Sequence, residues 1–442
     1  MAGVTGTGSV EFPRGDVLES RWDAERGEPA HARRVRRTTT ESRVELSGCT
    51  VDSDGALLVR TYDAAQADQE AEIWVGNRRV GKLFEAYANP NRRFAQTALW
   101  IDLAPGDCVG DKLPLRFNAR GSSSPWSEIR YDVRFFSTGQ VRPAITQNQS
   151  FTRIFDTRTL TEAPQSGPHY VNDHSMIRDA QGKWHLYGIF HQDPFLPGDE
   201  NDFVHATTVQ DSRLADPAQW SWDSFEYTGI ALRTQPRIGE THIWAPHIVR
   251  DGDRYIMAYH AGGPDNHRVR MQLAESRDLA TWTRLQPTPT FEDICMARDP
   301  MLRKQGTLWI MYYTRCDARG SEKSGVAYRT SFDLVTWSAP AMALTLTGTP
   351  SMFNSGYTES PFVFERGGWF YLSVTSYPID WDASFVYRSR SPFHFEPTPI
   401  ARLRTHAPEW VAENDDFERG DLFVTHCGPG QGGVWLSAID GL

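Results

Sequence analysis

The chain has 442 residues, of which 39% are hydrophobic and 12% aromatic, and its formal net charge is -10. This length is sufficient for two or three domains with substantial hydrophobic cores. The negative charge argues against a general nucleic-acid or membrane-surface binder, because phosphate groups select clustered Lys and Arg side chains. The five cysteines are widely spaced, which argues against a zinc cluster or a dense disulfide framework, while a bridge between Cys49 and Cys108 stays open.

The first residues carry neither a basic segment nor an apolar core, so they show no signal peptide. No apolar stretch approaches the roughly 18 residues of a membrane-spanning helix. We therefore expect a cytoplasmic protein, or a secreted one if a leader precedes this sequence.

The N-terminal part is expected to form an accessory β-sandwich domain over residues 1–138. Short alternating strands are predicted at 56–62 and 97–103, and a hairpin is predicted around Gly76-Asn77. Several short strands without a helical period favour a sandwich of about 100 residues. Nothing in this part marks a binding site, so packing against the next domain is the preferred role.

Residues 139–442 contain one phrase five times: a short apolar run, a polar turn and then an aromatic strand. The copies open at Asp173, Ala245, Asp299, Glu359 and Ala407. A second phrase runs from an acidic residue to a tryptophan, at 216–220, 278–282 and 333–337. A repeat of this period with varied loops predicts a five-bladed β-propeller, so the whole chain is expected to be all-β.

In a propeller the residues that open the innermost strands meet at one end of the central channel. Asp173, Asp299 and Glu359 are interpreted as occupying one repeat position, where the second and fifth copies carry alanine. Glycoside hydrolysis requires two carboxyl groups beside the scissile bond, one protonated and one ionised. Asp179, Asp251 and Asp253 are set aside because they lie in predicted hairpin turns.

These phrases resemble those of glycoside hydrolase family 43 and of the related five-bladed families 32, 68 and 117. The resemblance rests on Asp173-His174-Ser175, Trp244-Ala245-Pro246, Asp299-Pro300 and Glu359-Ser360-Pro361. It implies that Asp173 is the general base, Asp299 the group that modulates pKa and orientation, and Glu359 the general acid. The chain departs from family 43 at His174, where proline is usual, and at His247, where an acidic residue is usual.

A second resemblance concerns families 32 and 68, through Arg298-Asp299-Pro300 and Asn172-Asp173. It implies a retaining fructoside hydrolase in which Asp173 is the nucleophile. Carboxyl groups about 5 to 5.5 Å apart imply retention and about 6.5 to 9.5 Å imply inversion. The phrase Trp244-Ala245-Pro246 favours the resemblance to family 43 and therefore favours inversion.

Five neighbours are expected to bind substrate: Trp244, His247, Arg298, His406 and His426. No cofactor is expected to be required. A structural calcium ion in the channel is compatible with inward-facing oxygens, although no acidic loop motif requires one. No protein metal ligands are assigned.

The sequence thus predicts a glycoside hydrolase that acts on a furanoside or pentoside of the arabinose or xylose type by an inverting Asp/Asp/Glu mechanism. Its partner would be an oligosaccharide or polysaccharide, with no nucleic acid and no membrane. The alternatives are the retaining fructoside hydrolase and a non-catalytic carbohydrate-binding propeller, because a fold alone does not decide function.

Overall fold

The fold was analysed in a computed structural model that describes most of the chain. The described residues are 3–12, 14–20, 31–63, 65–66, 69–85, 94–120, 122, 124–137, 145–147, 151–157, 169–192, 200–209, 214, 216–262, 269–293, 297–316, 323–347, 358–376, 384–428 and 432–442. The chain divides into two compact units, Met1–Pro143 with Arg402–Arg404, and Ala144–Ala401 with Thr405–Leu442. The domain boundary predicted at 138/139 falls outside the described residues.

The first unit is a β-sandwich, as the sequence predicted. Its strands are β1 Gly3–Glu11, β2 Asp16–Ser20, β3 His31–Thr38, β4 Glu41–Ser47, β5 Gly55–Asp63, β6 Gln69–Val75, β7 Arg78–Glu85, β8 Phe94–Asp102, β9 Lys112–Asn118, β10 Trp126–Glu128 and β11 Arg130–Ser137. Two antiparallel sheets, β1-β11-β5-β8 and β4-β9-β6-β7, are accompanied by the smaller sheet β10-β3-β2. Burial alternates along β4 and β9, because successive side chains of a strand point to opposite faces.

The core of this unit is built from the inward faces of both sheets and includes Leu58, Ile73, Phe117 and Phe135. Cys49 and Cys108 form a disulfide across 59 residues of sequence, so the pairing that the spacing left open is present.

The second unit is a five-bladed β-propeller, which confirms the predicted fold class. Its strands are β12 Thr146–Gln147, β13 Thr152–Asp156, β14 His169–Arg178, β15 Trp184–Gln192, β16 Asp202–Thr208, β17 Phe225–Arg233, β18 Ile243–Asp251, β19 Arg254–Ala261, β20 Val269–Ser276, β21 Thr283–Arg284, β22 Phe291–Asp293, β23 Arg298–Gln305, β24 Leu308–Cys316, β25 Lys323–Ser331, β26 Ala341–Thr347, β27 Thr358–Arg366, β28 Trp369–Ser376, β29 Ser384–Ser389, β30 Ala401–Leu403, β31 Trp410–Ala412, β32 Leu422–His426 and β33 Gly433–Asp440. Short 3-10 turns occur at Pro217–Gln219, Pro236–Ile238 and Glu413–Asp415.

The first four blades are antiparallel sheets that follow the chain in order. They are β14-β15-β16-β17, β18-β19-β20-β21, β23-β24-β25-β26 and β27-β28-β29-β30. The fifth blade, β31-β32-β33, takes its outer edge from β12 and β13, which pair with β33. The beginning and end of the propeller sequence therefore share one sheet, which closes the ring and leaves no open edge there.

The aromatic second strands pack between blades. Tyr187 of blade one and Tyr259 of blade two lie in one core with Ile177, Phe203 and Ile248. The next core, between blades two and three, includes Met311 and Tyr313 from the equivalent strand. Burial of these large side chains fixes the blades against each other.

The acidic-to-tryptophan phrase forms the connection between the third and fourth strands of a blade. In blade two, Asp278 Oδ1 accepts hydrogen bonds from the backbone N–H groups of Thr281 and Ala280, and these bonds lower the pKa of Asp278 to about 2. The hydroxyl of Tyr187 in blade one donates to the carbonyl oxygen of Leu279. The phrase therefore also joins neighbouring blades.

In the described part of the chain, no helix is long and apolar enough to cross a lipid bilayer.

Candidate active site

In blades one to four the innermost strand is interrupted at an equivalent point by a residue with positive φ, and in blade five such a residue lies three positions before the strand. The five residues are Asp173 (φ 33°), Ala245 (48°), Asp299 (58°), Ser360 (49°) and Ala407 (46°). In blades one to four the pairing with the second strand shifts register at this residue, as in a β-bulge. Residues other than glycine rarely adopt such φ values, and where they do the strain is often part of a functional site.

This alignment corrects one sequence interpretation. Glu359 does not occupy the same repeat position as Asp173 and Asp299, because Ser360 is the residue with positive φ in blade four. Proline follows this position in blades two to five, and a single-residue offset in a strand changes the face on which a side chain lies. Glu359 is instead equivalent to Arg298 of blade three. The repeat position therefore holds two carboxyl groups, one serine and two alanines.

These five positions surround a cavity. Its lining comes from all five blades and consists of Asp173, His174, Ala245, Pro246, His247, Asp299, Pro300, Met301, Ser360, Pro361, Ala407, Pro408 and Glu409. Among the predicted site residues, the structure thus brings Asp173, Asp299 and His247 to the cavity wall. Glu359 and Arg298 stand one position before the wall residues of their strands.

Ser360 connects the two aspartates. Its hydroxyl donates to Asp173 Oδ1 at 2.6 Å, and its backbone N–H donates to Asp299 Oδ2 at 3.1 Å. Hydrogen bonds to an ionised carboxylate favour that form over the protonated one. A single residue of blade four therefore orients carboxyl groups from blades one and three.

Asp173 is held from its other side by Asn172. The Asn172 amide donates from Nδ2 to Asp173 Oδ2 at 3.2 Å, and its Oδ1 is 2.9 Å from His406 Nε2. His406 is in turn fixed through its backbone N–H, which donates to His426 Nδ1 at 2.9 Å. Two of the predicted substrate-binding residues, His406 and His426, thus help to position Asp173 through Asn172. Neither is among the residues that line the cavity.

Arg298 lies between the other two carboxyl groups. Its Nη2 donates to Glu359 Oε1, and its Nε is 3.5 Å from Asp299 Oδ2. Arg298 and Asp299 are both buried, so their interaction is screened by water less than a surface ion pair. The guanidinium therefore links Asp299 to Glu359, as Ser360 links Asp299 to Asp173.

The two buried aspartates differ from solvent-exposed ones in their acidity. Burial raises the pKa of Asp299 well above its usual range, and the positive charge of Arg298 opposes this shift. Burial also raises the pKa of Asp173, which His406 counteracts. The negative charges of Asp173 and Glu359 raise the pKa of Asp299 further, and that of Glu359 raises the pKa of Asp173, as expected when several acids share one site.

The histidines at the cavity wall are neutral. His247 Nδ1 accepts the backbone N–H of Leu302 at 3.2 Å, and burial lowers the pKa of His247 to about 3. Burial likewise lowers the pKa of His174 to about 3. Because His247 accepts at Nδ1, its proton is assigned to Nε2, and the ring can donate a hydrogen bond there.

Trp244 is half-buried and already packed against other rings. The ring of His242 lies 4.1 Å from it at 32°, and His260 meets it edge-on at 4.7 Å. These contacts reduce the aromatic surface with which Trp244 can stack on a sugar ring.

Ser360, Asn172 and Glu409 were not identified from the sequence. Alignment of the five copies on the proline that follows the bulge would have identified Ser360, and Asn172 directly precedes Asp173. No sequence pattern distinguishes Glu409, because it shares a cavity with Asp173 only once the propeller ring has closed.

No group of three or more His, Cys, Asp or Glu side chains suited to a metal ion occurs among the residues that the structure describes. Calcium therefore stays an expectation, and no step of the chemistry is derived through it.

Comparison with known proteins adds a family assignment. The sequence model of Glycosyl hydrolases family 43 matches residues 177–407, which is slightly more than half of the chain and begins just after Asp173. A comparison with curated proteins gives no match.

Three of the solved structures that are similar to this chain are the following. A thermostable family-43 glycoside hydrolase is 18% identical with a TM-score of 0.47, and the alignment covers 63% of this chain and 91% of that one. A family 32 beta-fructofuranosidase of Bombyx mori is 19% identical with a TM-score of 0.44, with 63% and 62% covered. A family 117 glycoside hydrolase of the marine bacterium Zobellia galactanivorans is 11% identical with a TM-score of 0.46, with 66% and 90% covered.

The assignment rests on the match over residues 177–407, which spans the bulges of blades two to four and ends at Ala407. The chain therefore belongs to glycosyl hydrolases family 43 and is a glycosidase rather than a non-catalytic carbohydrate-binding propeller.

Proposed function

We propose that the enzyme hydrolyses the glycosidic bond of a furanoside or pentoside of the arabinose or xylose type, with inversion of configuration. Asp173 is the general base that activates water, Glu359 is the general acid that protonates the leaving oxygen, and Asp299 orients the site and modulates its pKa values. The observation that carries the proposal is the continuous connection of the three carboxyl groups through Ser360 and Arg298.

The division of roles follows from the partners of each carboxyl group. Asp173 accepts hydrogen bonds from Ser360 and Asn172, which stabilise the ionised form that a base requires. Asp299 has the more strongly raised pKa, and the Ser360 N–H and Arg298 hold its carboxyl group in place, which suits a group that orients the site.

Glu359 requires a separate argument, because its contact with Arg298 favours the ionised form. The negative charges of Asp173 and Asp299 act in the opposite direction. Displacement of the Arg298 contact by a substrate hydroxyl would favour the protonated form of Glu359 that a general acid requires.

The substrate class is tested with a panel of nitrophenyl glycosides that includes α-L-arabinofuranoside, β-D-xyloside and β-D-fructofuranoside, followed by plant and microbial polysaccharides. Turnover of the arabinoside or xyloside is expected. The anomer that forms first, observed by NMR, is expected to have the configuration opposite to that of the substrate. A retained anomer would refute the inverting mechanism.

A retaining fructoside hydrolase is the second candidate. It is favoured by the contact of Asn172 with Asp173 and by the position of Arg298 beside Asp299. These residues belong to the two phrases that resemble families 32 and 68. Turnover of the fructoside alone, with retention, would select it.

The Cys49–Cys108 disulfide is relevant to the cellular location of the enzyme. Disulfides persist mainly in oxidising compartments, so we infer that the secreted alternative fits this enzyme better than the cytoplasmic one.

A further inference from the structure

A fourth carboxyl group lies in the cavity without a role in the mechanism described above. Glu409 lines the same wall as Asp173 and Asp299, and only 7% of the residue is exposed. It stands two residues after Ala407, the residue with positive φ in blade five, and the other blades carry Ser175, His247, Met301 and Phe362 at this position.

The backbone of Glu409 is fixed by Thr425 on the neighbouring strand. Its N–H donates to Thr425 Oγ1 at 3.1 Å, and its carbonyl oxygen accepts from the Thr425 backbone N–H at 2.9 Å. His174 Nε2 lies 2.6 Å from the same Thr425 hydroxyl, and His174 Nδ1 lies 3.2 Å from Cys427 Sγ. His174 thus connects the bulge of blade one to the segment that positions Glu409, which a proline at this position would not do.

The surroundings of Glu409 favour its neutral form. Burial raises the pKa of Glu409 well above its usual range, and the negative charge of Asp173 raises it further. The titratable groups that share its cavity are Asp173, Asp299, His174 and His247, and both histidines are uncharged because burial lowers the pKa of each to about 3. Within the described part of the chain, no side chain donates a hydrogen bond to its carboxyl group.

Asp173 has room for another donor. An ionised carboxylate offers about four lone-pair sites, and Ser360 and Asn172 occupy two of them. A neutral carboxylic acid carries one O–H that can donate to such an oxygen, and a hydrogen bond of this kind is stronger than one between neutral groups.

We propose that Glu409 is a positioning residue for Asp173, which stays protonated in the working enzyme and donates its hydrogen bond to the Asp173 carboxylate. The inference rests on the proposed role of Asp173 as the base. By stabilising ionised Asp173, Glu409 extends activity to lower pH.

The kinetic test compares two substitutions of similar size. Glu409→Met removes the donor, whereas Glu409→Gln retains an N–H donor and cannot ionise. On the nitrophenyl pentoside that the enzyme turns over, the acid limb of the kcat/KM profile is expected to move up by about one pH unit in Glu409→Met and to stay in place in Glu409→Gln. Glu396→Gln, at an exposed residue, is the control for the amide substitution.

A merely structural role of Glu409 would lower kcat at every pH without moving the acid limb, and this result would overturn the proposal. If a chelator moved the acid limb of the wild-type kcat/KM profile by the same amount, Glu409 would act through a bound cation. This result would also overturn the proposal. Thermal unfolding of both variants identifies loss of fold.

Infrared difference spectra give a readout that needs no substrate. Wild type minus Glu409→Gln at neutral pH is expected to show the C=O stretch of a protonated carboxyl group, and a carboxylate band instead would refute the protonated state. If Asp173→Asn retained full activity, the proposed function would fail. If that variant were inactive while Glu409→Met kept the wild-type limb, only the present inference would fail.

Discussion

The hydroxyl of Ser360 donates a hydrogen bond to Oδ1 of Asp173 over 2.6 Å, although 187 residues separate the two in sequence. The bond joins blade four to blade one across the channel. Because the N–H of Ser360 also donates to Asp299, a residue that carries no charge organises both aspartates.

Ser360→Ala removes the hydroxyl and leaves the backbone contact to Asp299 intact. The pKa of Asp173 is expected to rise, because its ionised form loses a donor, so the acid limb of kcat/KM should move up by about one pH unit. Ala245 and Ala407 adopt φ values of 48° and 46° at the same repeat position, so alanine fits this backbone and the unfolding temperature should change little. Ala245→Ser is the reciprocal control, and an unchanged pH profile in Ser360→Ala would contradict the prediction.

The general acid can be identified from how its substitution affects substrates with different leaving groups. Glu359→Gln is expected to lower kcat by at least about a hundredfold on substrates with a poor, alkyl leaving group, and by much less on nitrophenyl glycosides, whose leaving group needs no proton. Asp173→Asn should be inactive on both kinds of substrate. Glu365→Gln, on the same strand as Glu359 but half exposed in a pair with Arg303, is the matched control. Equal losses on both substrate kinds would exclude Glu359 as the acid.

Arg298 compensates the charge of the buried carboxyl groups. Arg298→Met is expected to lower the free energy of unfolding by about 3 kcal/mol, since it leaves buried acids without their cation. The pKa of Asp299 should rise further, because the charge that opposes its upward shift is gone. Urea unfolding at neutral pH measures the loss. Arg303→Met breaks a more exposed pair with Glu365 and should cost under about 1 kcal/mol, so equal losses would argue against a special role for Arg298.

Buried histidines predict acid sensitivity of the fold. Burial lowers the pKa of His174, His205 and His247 from 6.5 to about 3, so between these values the unfolded state binds more protons than the folded state. Stability is therefore complete above about pH 6.5 and falls as the pH decreases towards 3, by about 1.4 kcal/mol per pH unit for each histidine.

Denaturant unfolding between pH 4 and 8 checks this slope. His205→Gln, away from the cavity, should flatten it by roughly one histidine's share, whereas His394→Gln at an exposed site should not. A slope that is the same in wild type and His205→Gln would show that His205 does not contribute.

The fold could be predicted in large part from the sequence. The repeat of apolar run, turn and aromatic strand follows from the pairing of β14 with β15 and its equivalents, which are local hairpins. The closure of the ring was not predicted, because β13 and β33 are nearly 280 residues apart and carry no mutual pattern. The register of blade four differs by one residue from the predicted one, because the repeat position is Ser360, before Pro361, and not Glu359.

By itself, the sequence determined which residue types are available and how often the blade phrase recurs, because both are encoded in short segments. It thereby determined the propeller, the sandwich and the candidate acids Asp173, Asp299 and Glu359. Only the tertiary structure decided how these acids are used. Ser360, Arg298 and Glu409 act on them from other blades, and hydrogen bonding and burial depend on distances that exist only once the ring has closed.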